Sequence, residues 1–147
     1  MSITLRQATA ADLPGVLALY AQPGLDNGKV LAVDQAGQVF AQFARYPNYR
    51  LFLAQDGPTV VGSYALLVMH NLAHHGTPSA IAEDVVVLHE RQGQGIGRQM
   101  MAHAVAQARE AGCYKLALSS NHKRKEAHAF YAALGFSEHG LSFVIDL

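Results

Sequence analysis

From Asp84 to Arg98 the chain reads Asp-Val-Val-Val-Leu-His-Glu-Arg-Gln-Gly-Gln-Gly-Ile-Gly-Arg. Three glycines at alternate positions, Gly93, Gly95 and Gly97, follow an apolar run and precede a helical pattern. Glycine permits a tight turn and lets a ligand approach the backbone without interference from a Cβ atom. The helix that follows offers unpaired N–H groups and the positive end of its dipole. The chemistry expected of this segment is therefore anion binding, most naturally of phosphate. Two familiar phosphate loops fail on spacing. A dinucleotide fingerprint started at Gly93 meets Arg98 where Gly or Ala is required, and one started at Gly95 meets Met100. A Walker loop ends in Gly-Lys-Ser/Thr, and Gly97-Arg98-Gln99 stands there instead. The pattern that fits is Gln/Arg-x-x-Gly-x-Gly/Ala, carried by Gln92, Gly95 and Gly97. Arg98 at the helix start opposes the dipole and makes better sense beside a phosphate.

Other side chains could move protons. Glu83 and Asp84 interrupt the apolar run Ile81 to Leu88. As neighbours on a strand they are expected to point to opposite faces, so one of them can look into a given cleft. A carboxylate there is expensive to bury without a partner, which raises the case for a functional role above that of an average surface acid. A salt bridge or a hydrogen bond to a loop N–H is the structural alternative. Ordered water is the alternative base. His70, His74 and His75 cluster in a polar connection and could bind substrate, relay a proton or ligate a divalent ion; a hydrated loop is the commoner outcome, and no metal is expected. Tyr131 follows Phe130 on a helical pattern, so Phe130 can face the core while the phenol turns to a cleft. A phenol stays protonated at neutral pH and can donate. Asn121 is either a ligand contact or a cap for the next helix. Cys113 reads as a small core filler.

The elements that must position these groups follow from periodicity. Ser2 to Arg6 alternates as a strand, and Thr9 with Asp12 forms a loose capping box ahead of Leu13, Val16, Leu17 and Tyr20. Residues 22–28 are turn-rich, and a second helix from Asp34 to Ala44 buries Val39, Phe40 and Phe43. Strands are expected at Arg50 to Ala54, Val60 to Met69, Ile81 to Leu88 and Tyr114 to Ser119. Helices are expected at Gly97 to Ala111, ended by Gly112, and at Lys123 to Leu134, ended by Gly135. Phe136 to Glu138 and Ser142 to Asp146 are expected to pair as a final hairpin. The outcome is an α+β fold of α/β type, one domain over residues 1–147, with a central twisted sheet and helices on both faces.

Composition narrows the function. The chain has 147 residues with 15% charged, against about 25% in a typical soluble domain. Eleven Lys plus Arg balance eleven Asp plus Glu, which argues against nucleic acid or an anionic membrane as partner. A single Cys excludes a disulfide framework. The N-terminal residues do not read as a signal peptide and no apolar run reaches the ~20 residues of a membrane span, so a cytoplasmic location is expected.

The order strand, Gln92-Gly-Gln-Gly-Ile-Gly97, helix, strand, then Ala129-Phe-Tyr-Ala-Ala-Leu-Gly-Phe136, resembles the GNAT N-acetyltransferases. The resemblance covers the chain in element order and residues 81–147 in detail. It implies a GNAT acyl-CoA acyltransferase fold and acetyl-CoA as cosubstrate, with pyrophosphate on Gln92, Gly93, Gln94, Gly95, Ile96, Gly97 and Arg98. It implies that Val86, Val87 and Leu88 pair with pantetheine through their backbone, that a backbone N–H near Val86 or Val87 polarises the thioester, and that Asn121 contacts CoA. It also implies Tyr131 as general acid, with Glu83 or Asp84 as candidate base. Glu83-Asp84-Val-Val-Val87 and Gly112-Cys-Tyr-Lys115 are similar to glucosamine-6-phosphate N-acetyltransferases. Leu118-Ser-Ser-Asn121, Ala127-His128, Phe130-Tyr131 and His74-His75 are similar to aminoalkylphosphonate N-acetyltransferases.

The expected activity is direct acetyl transfer to the primary amine of a small molecule in a ternary complex. Two alternatives stand beside it: acetylation of a protein or peptide, and a non-catalytic acetyl-CoA-binding regulatory module. Dimers are common in the family, so the resemblance also allows a homodimer.

Overall fold

The computed structural model describes residues 2–147. They form two compact units, one ending at Ala117 and the other running Leu118–Leu147.

The first unit is built on a five-stranded sheet in sequential order: β1 (Ile3–Gln7), β2 (Tyr49–Asp56), β3 (Thr59–Met69), β4 (Ser79–Val87) and β5 (Leu116–Ala117). The first four strands run antiparallel, and β5 joins β4 in parallel after a helical crossover. A tight hairpin joins β2 to β3, whereas two helices lie between β1 and β2 and residues 70–78 connect β3 to β4. Gly57 at φ +55 closes the turn between β2 and β3, where Asp56-Gly57-Pro58 predicts one.

Helices α1 (Leu13–Tyr20) and α2 (Val33–Phe43) pack on one face. A single 3-10 turn over Ala10–Asp12 precedes α1. There the Asp12 carboxylate accepts the Thr9 N–H at 2.7 Å, as the capping box requires, and takes a two-pronged ion pair from Arg6 at 2.7 and 2.8 Å. The core on this face joins Val16 to Leu51, Leu53 and Ala65, with Phe40 and Phe43 partly buried against it. Each fully buried Val or Leu contributes roughly 1.5–3 kcal/mol. Val39, expected inside, is half exposed, while Ala36 one turn earlier is buried.

Helix α3 (Ile96–Glu110) covers the opposite face with Met100, Met101, Ala104 and Ala108. It lies close: a Cβ on Gly62 of β3 would fall 2.5 Å from the Met100 sulfur. The buried Tyr64 hydroxyl meets His103 Nδ1 at 2.6 Å. Burial and Arg50 lower the His103 pKa, so its unionised ring can accept the phenol proton.

Strand β5 is shorter than the expected Tyr114 to Ser119. It pairs only at Ala80↔Leu116 and Ile81↔Ala117. Beyond Ile81, β4 has no further pairing with β5, and its register against β3 shifts at a bulge.

The second unit contains α4 (Lys125–Ala133) and an extended tail. Tyr131 stacks edge-on against Phe130 and Phe136. The hairpin expected from Phe136–Glu138 and Ser142–Asp146 is absent, since residues 136–147 adopt neither helix nor strand. Leu141, Phe143 and Ile145 alternate as a strand would, yet all are more than four-fifths exposed. Alternation makes a strand only where a neighbouring backbone completes its hydrogen bonds.

Candidate active site

Strand β4 carries most of the candidate groups. Ser63 and Ala65, two positions apart on β3, pair with Val86 and Glu83, three apart on β4. The extra residue makes a β-bulge, and Asp84 within it adopts φ +52. A bulge of this kind bends the strand and re-aims its side chains. A left-handed non-glycine residue costs on the order of 1–3 kcal/mol, and Asp tolerates it better than most.

The bulge interrupts the strict alternation on which the opposite-face expectation for Glu83 and Asp84 rests. Both carboxylates act on the Tyr49 phenol, raising its pKa alongside burial. Neither carboxylate is buried; both side chains are open to solvent. The protein packed around Asp84, together with the Asp26 charge, nevertheless raises its pKa above the ordinary carboxylate range. Tyr20, at the end of α1, faces the same group. Burial and the Asp84 charge push its phenol up to about 12, with Ser63 acting in the opposite direction.

These neighbours escape sequence reasoning. Tyr20 reads there as one more apolar-face residue of a helix, and Asp26 as part of a turn. Only the closure of α1 onto the sheet brings them to β4.

From Ala82 to Val87 the edge of β4 left by β5 carries no strand among the described residues. At the end of β4 two backbone groups are engaged, the first of them toward β3. The Leu88 N–H donates to Val61 O at 2.8 Å, and Val87 O accepts from Gln22 Nε2 at 3.4 Å. The side chains of Val86, Val87 and Leu88 are half-buried.

The chain then passes through a 3-10 turn, His89–Arg91, into the glycine loop. Gly93 and Gly95 hold φ +77 and +82. A Cβ at either would meet nothing within 4 Å, so backbone conformation and not space demands glycine. Gly95 is the N-cap of α3, so the first N–H groups of a 15-residue helix lack intrahelical partners. Gln92 to Gly95 and Arg98 are exposed, while Ile96 is buried and anchors the loop. Arg91 braces it, donating to Gln94 Oε1 at 2.9 Å and to Asp56 Oδ2 at 2.7 Å. Arg98 has no acidic partner among the described residues.

In the second unit Asn121 Oδ1 accepts the Lys123 N–H at 2.9 Å. This is an Asx turn, and the N-cap of α4 is Arg124, so Asn121 does not cap the helix. The Asn121 carbonyl also lies 2.8 Å from His128 Nε2. Burial raises the Tyr131 pKa, against the opposing charge of Arg124. The phenol therefore keeps its proton at neutral pH.

The histidine connection forms a strained turn with His74 and His75 at φ +56 and +57. His74 lies against the Tyr114 ring, with centroids 4.6 Å apart. Among the described residues no three His, Cys, Asp or Glu side chains gather as a metal site. Cys113 is half-buried, and its thiol pKa is raised by burial, which suits packing better than nucleophilic attack. No described helix is long and apolar enough to cross a membrane.

The model of the acetyltransferase (GNAT) family matches residues 16–136. The chain belongs to the GNAT acetyltransferase family. An aminoalkylphosphonate N-acetyltransferase of Salmonella typhimurium is 35% identical over 139 residues, covering 95% of this chain and 88% of that protein. A probable glucosamine 6-phosphate N-acetyltransferase of Oryza sativa is 29% identical, covering 98% of this chain and 87% of that protein. A solved structure from Agrobacterium tumefaciens superposes with a TM-score of 0.90 at 36% identity, covering 98% of this chain and 99% of that one. The GNAT resemblance read from the glycine loop and the Ala129–Phe136 segment thus holds, as does the α+β fold. The GNAT enzymes that this chain resembles are N-acetyltransferases, and so is this protein.

Proposed function

We propose that this GNAT enzyme transfers acetyl from acetyl-CoA to the primary amine of a small molecule, by direct attack without a covalent enzyme intermediate. The observation that carries this reading is the meeting, on one strand, of a splayed edge, a bulged carboxylate and a glycine loop. The loop's positive-φ glycines and the free N-terminus of α3 suit a pyrophosphate, with Gln92, Gly93, Gln94, Gly95, Ile96, Gly97 and Arg98 around it. The edge of β4 at Val86–Leu88 suits an extended pantetheine chain, and the family resemblance implies Asn121 as a further CoA contact. Acetyl-CoA supplies an activated thioester carbonyl; the chain's own residues handle protons and charge.

The amine must lose a proton as its C–N bond forms, and the sulfur must gain one as the C–S bond breaks. Asp84 suits the first task, directly or through water, because its raised pKa brings it closer to the working pH of a base. Glu83 stands beside it as the second candidate. Tyr131 suits the second task, since its phenol is held protonated and so can donate to a leaving thiolate. The roles of Asn121 and Tyr131 rest on the family resemblance of residues 118–136.

The experiment is a panel of amines with acetyl-CoA, read by free-thiol release with and without EDTA. Amine-dependent thiol release that is insensitive to EDTA supports the proposal. Stoichiometric acetyl-CoA binding with no thiol release across the panel would leave a regulatory module.

A further inference from the structure

A cavity of about 220 Å³ lies between α1, α2 and β2. Its walls are aliphatic and aromatic, among them Leu17, Leu31, Val39 and Phe40. Asp26 is the one ionised side chain on it, and among the described residues no Lys, Arg or His lines it. An apolar void of about 150 Å³ already accepts benzene, so this space suits a body somewhat larger than a phenyl ring.

Tyr20 and Asp26 supply the polar part of the cavity wall. Both interact with the Asp84 charge. The Asp26 N–H donates to Tyr20 O at 3.0 Å, holding the loop carboxylate beside the end of α1. Gln22 fastens the same loop to the end of β4 through the His89 N–H at 2.6 Å. A cation placed at Asp26 would meet a carboxylate at the edge of an otherwise apolar chamber.

We infer that the acceptor is a small cationic amine with an apolar aryl or branched-alkyl body, seated in this cavity with its ammonium at Asp26. The inference rests on the N-acetyltransferase reading above and narrows its substrate. A phosphate or phosphonate on the acceptor would meet the Asp26 carboxylate and no balancing cation among the described residues of this cavity. In this the cavity departs from the substrates named for the relatives from Salmonella and rice.

The test is calorimetric titration of the whole protein with phenethylamine, aminoethylphosphonate and glucosamine 6-phosphate, followed by thiol release with the same amines. Phenethylamine is expected to bind most tightly. Asp26→Asn should weaken it about tenfold, and Val39→Trp, at a half-exposed wall position, should weaken it further by filling the chamber. Acetyl-CoA affinity should hold in both variants, which also shows that they fold. Tighter binding of either phosphorus-bearing amine, or phenethylamine affinity unchanged in both folded variants, overturns the assignment. Phenethylamine binding that needs Asp26 but gives no thiol release keeps the cavity assignment and refutes the acetyl-transfer reading instead. Thiol release confined to amines that do not depend on Asp26 does the reverse.

Discussion

Gln22 and His89, 67 positions apart in sequence, are joined by a hydrogen bond of 2.6 Å from the His89 N–H to the Gln22 side-chain oxygen. The same amide donates to Val87 O at 3.4 Å and to Leu19 O at 3.0 Å. One side chain thus ties the loop after α1 to the point where β4 enters the glycine loop. Gln22→Ala removes that tie and strands the His89 N–H. A loss of roughly 0.5–1.5 kcal/mol per hydrogen bond is expected in urea unfolding. The KM for the amine should rise while the unfolding m-value stays constant. A variant as stable as the parent would mean that water replaces Gln22 without penalty.

Gly95→Val places a β-branched side chain at φ +82, where the penalty is conformational because the added Cβ meets no neighbour. The expected cost is roughly 1–2 kcal/mol of stability. If the loop holds the pyrophosphate, acetyl-CoA affinity should also fall at least about tenfold, equivalent to about 1.4 kcal/mol. Calorimetry on protein verified as folded by circular dichroism separates the two effects.

Asp84 carries a directional prediction in pH. Its folded-state pKa lies above the unfolded value, so in the window between them the folded state binds more protons. Stability is therefore lost as pH rises through that window. Asp84→Asn should accordingly raise the melting temperature at neutral pH while lowering kcat, by about a hundredfold if Asp84 is the base. The rate deficit should shrink at alkaline pH, where the amine arrives already neutral. Glu83→Gln is the companion variant. Two profiles indistinguishable from the parent would transfer the role to water.

Tyr131→Phe retains the ring contacts with Phe130 and Phe136 and deletes only the hydroxyl. Acetyl-CoA affinity should hold while kcat falls roughly ten- to a thousandfold. Turnover within about twofold of the parent from pH 6 to 9 would leave thiolate protonation to solvent.

Much of this protein is local, and the sequence by itself determined that part. Strand and helix periods, the turn at Asp56-Gly57-Pro58, the capping box of Thr9 and Asp12, and the glycine loop are all set within a few residues of themselves. Steric limits on φ and ψ and the spacing of apolar side chains act at that range, so the GNAT signature could be read directly. What depends on register between distant strands could not. Glu83 and Asp84 look like an ordinary alternating pair until β4 is laid against β3 and one surplus residue must be absorbed as a bulge. That surplus leaves Asp84 at φ +52 and breaks the alternation along β4, while both carboxylate charges bear on Tyr49. The apolar tail from Leu141 alternates as a strand and still forms none, because a ladder needs a second backbone that no local pattern supplies. The cavity and its link through Tyr20 and Asp26 to Asp84 likewise exist only once α1 and α2 close over the sheet. Tertiary packing alone decided which charges face one another.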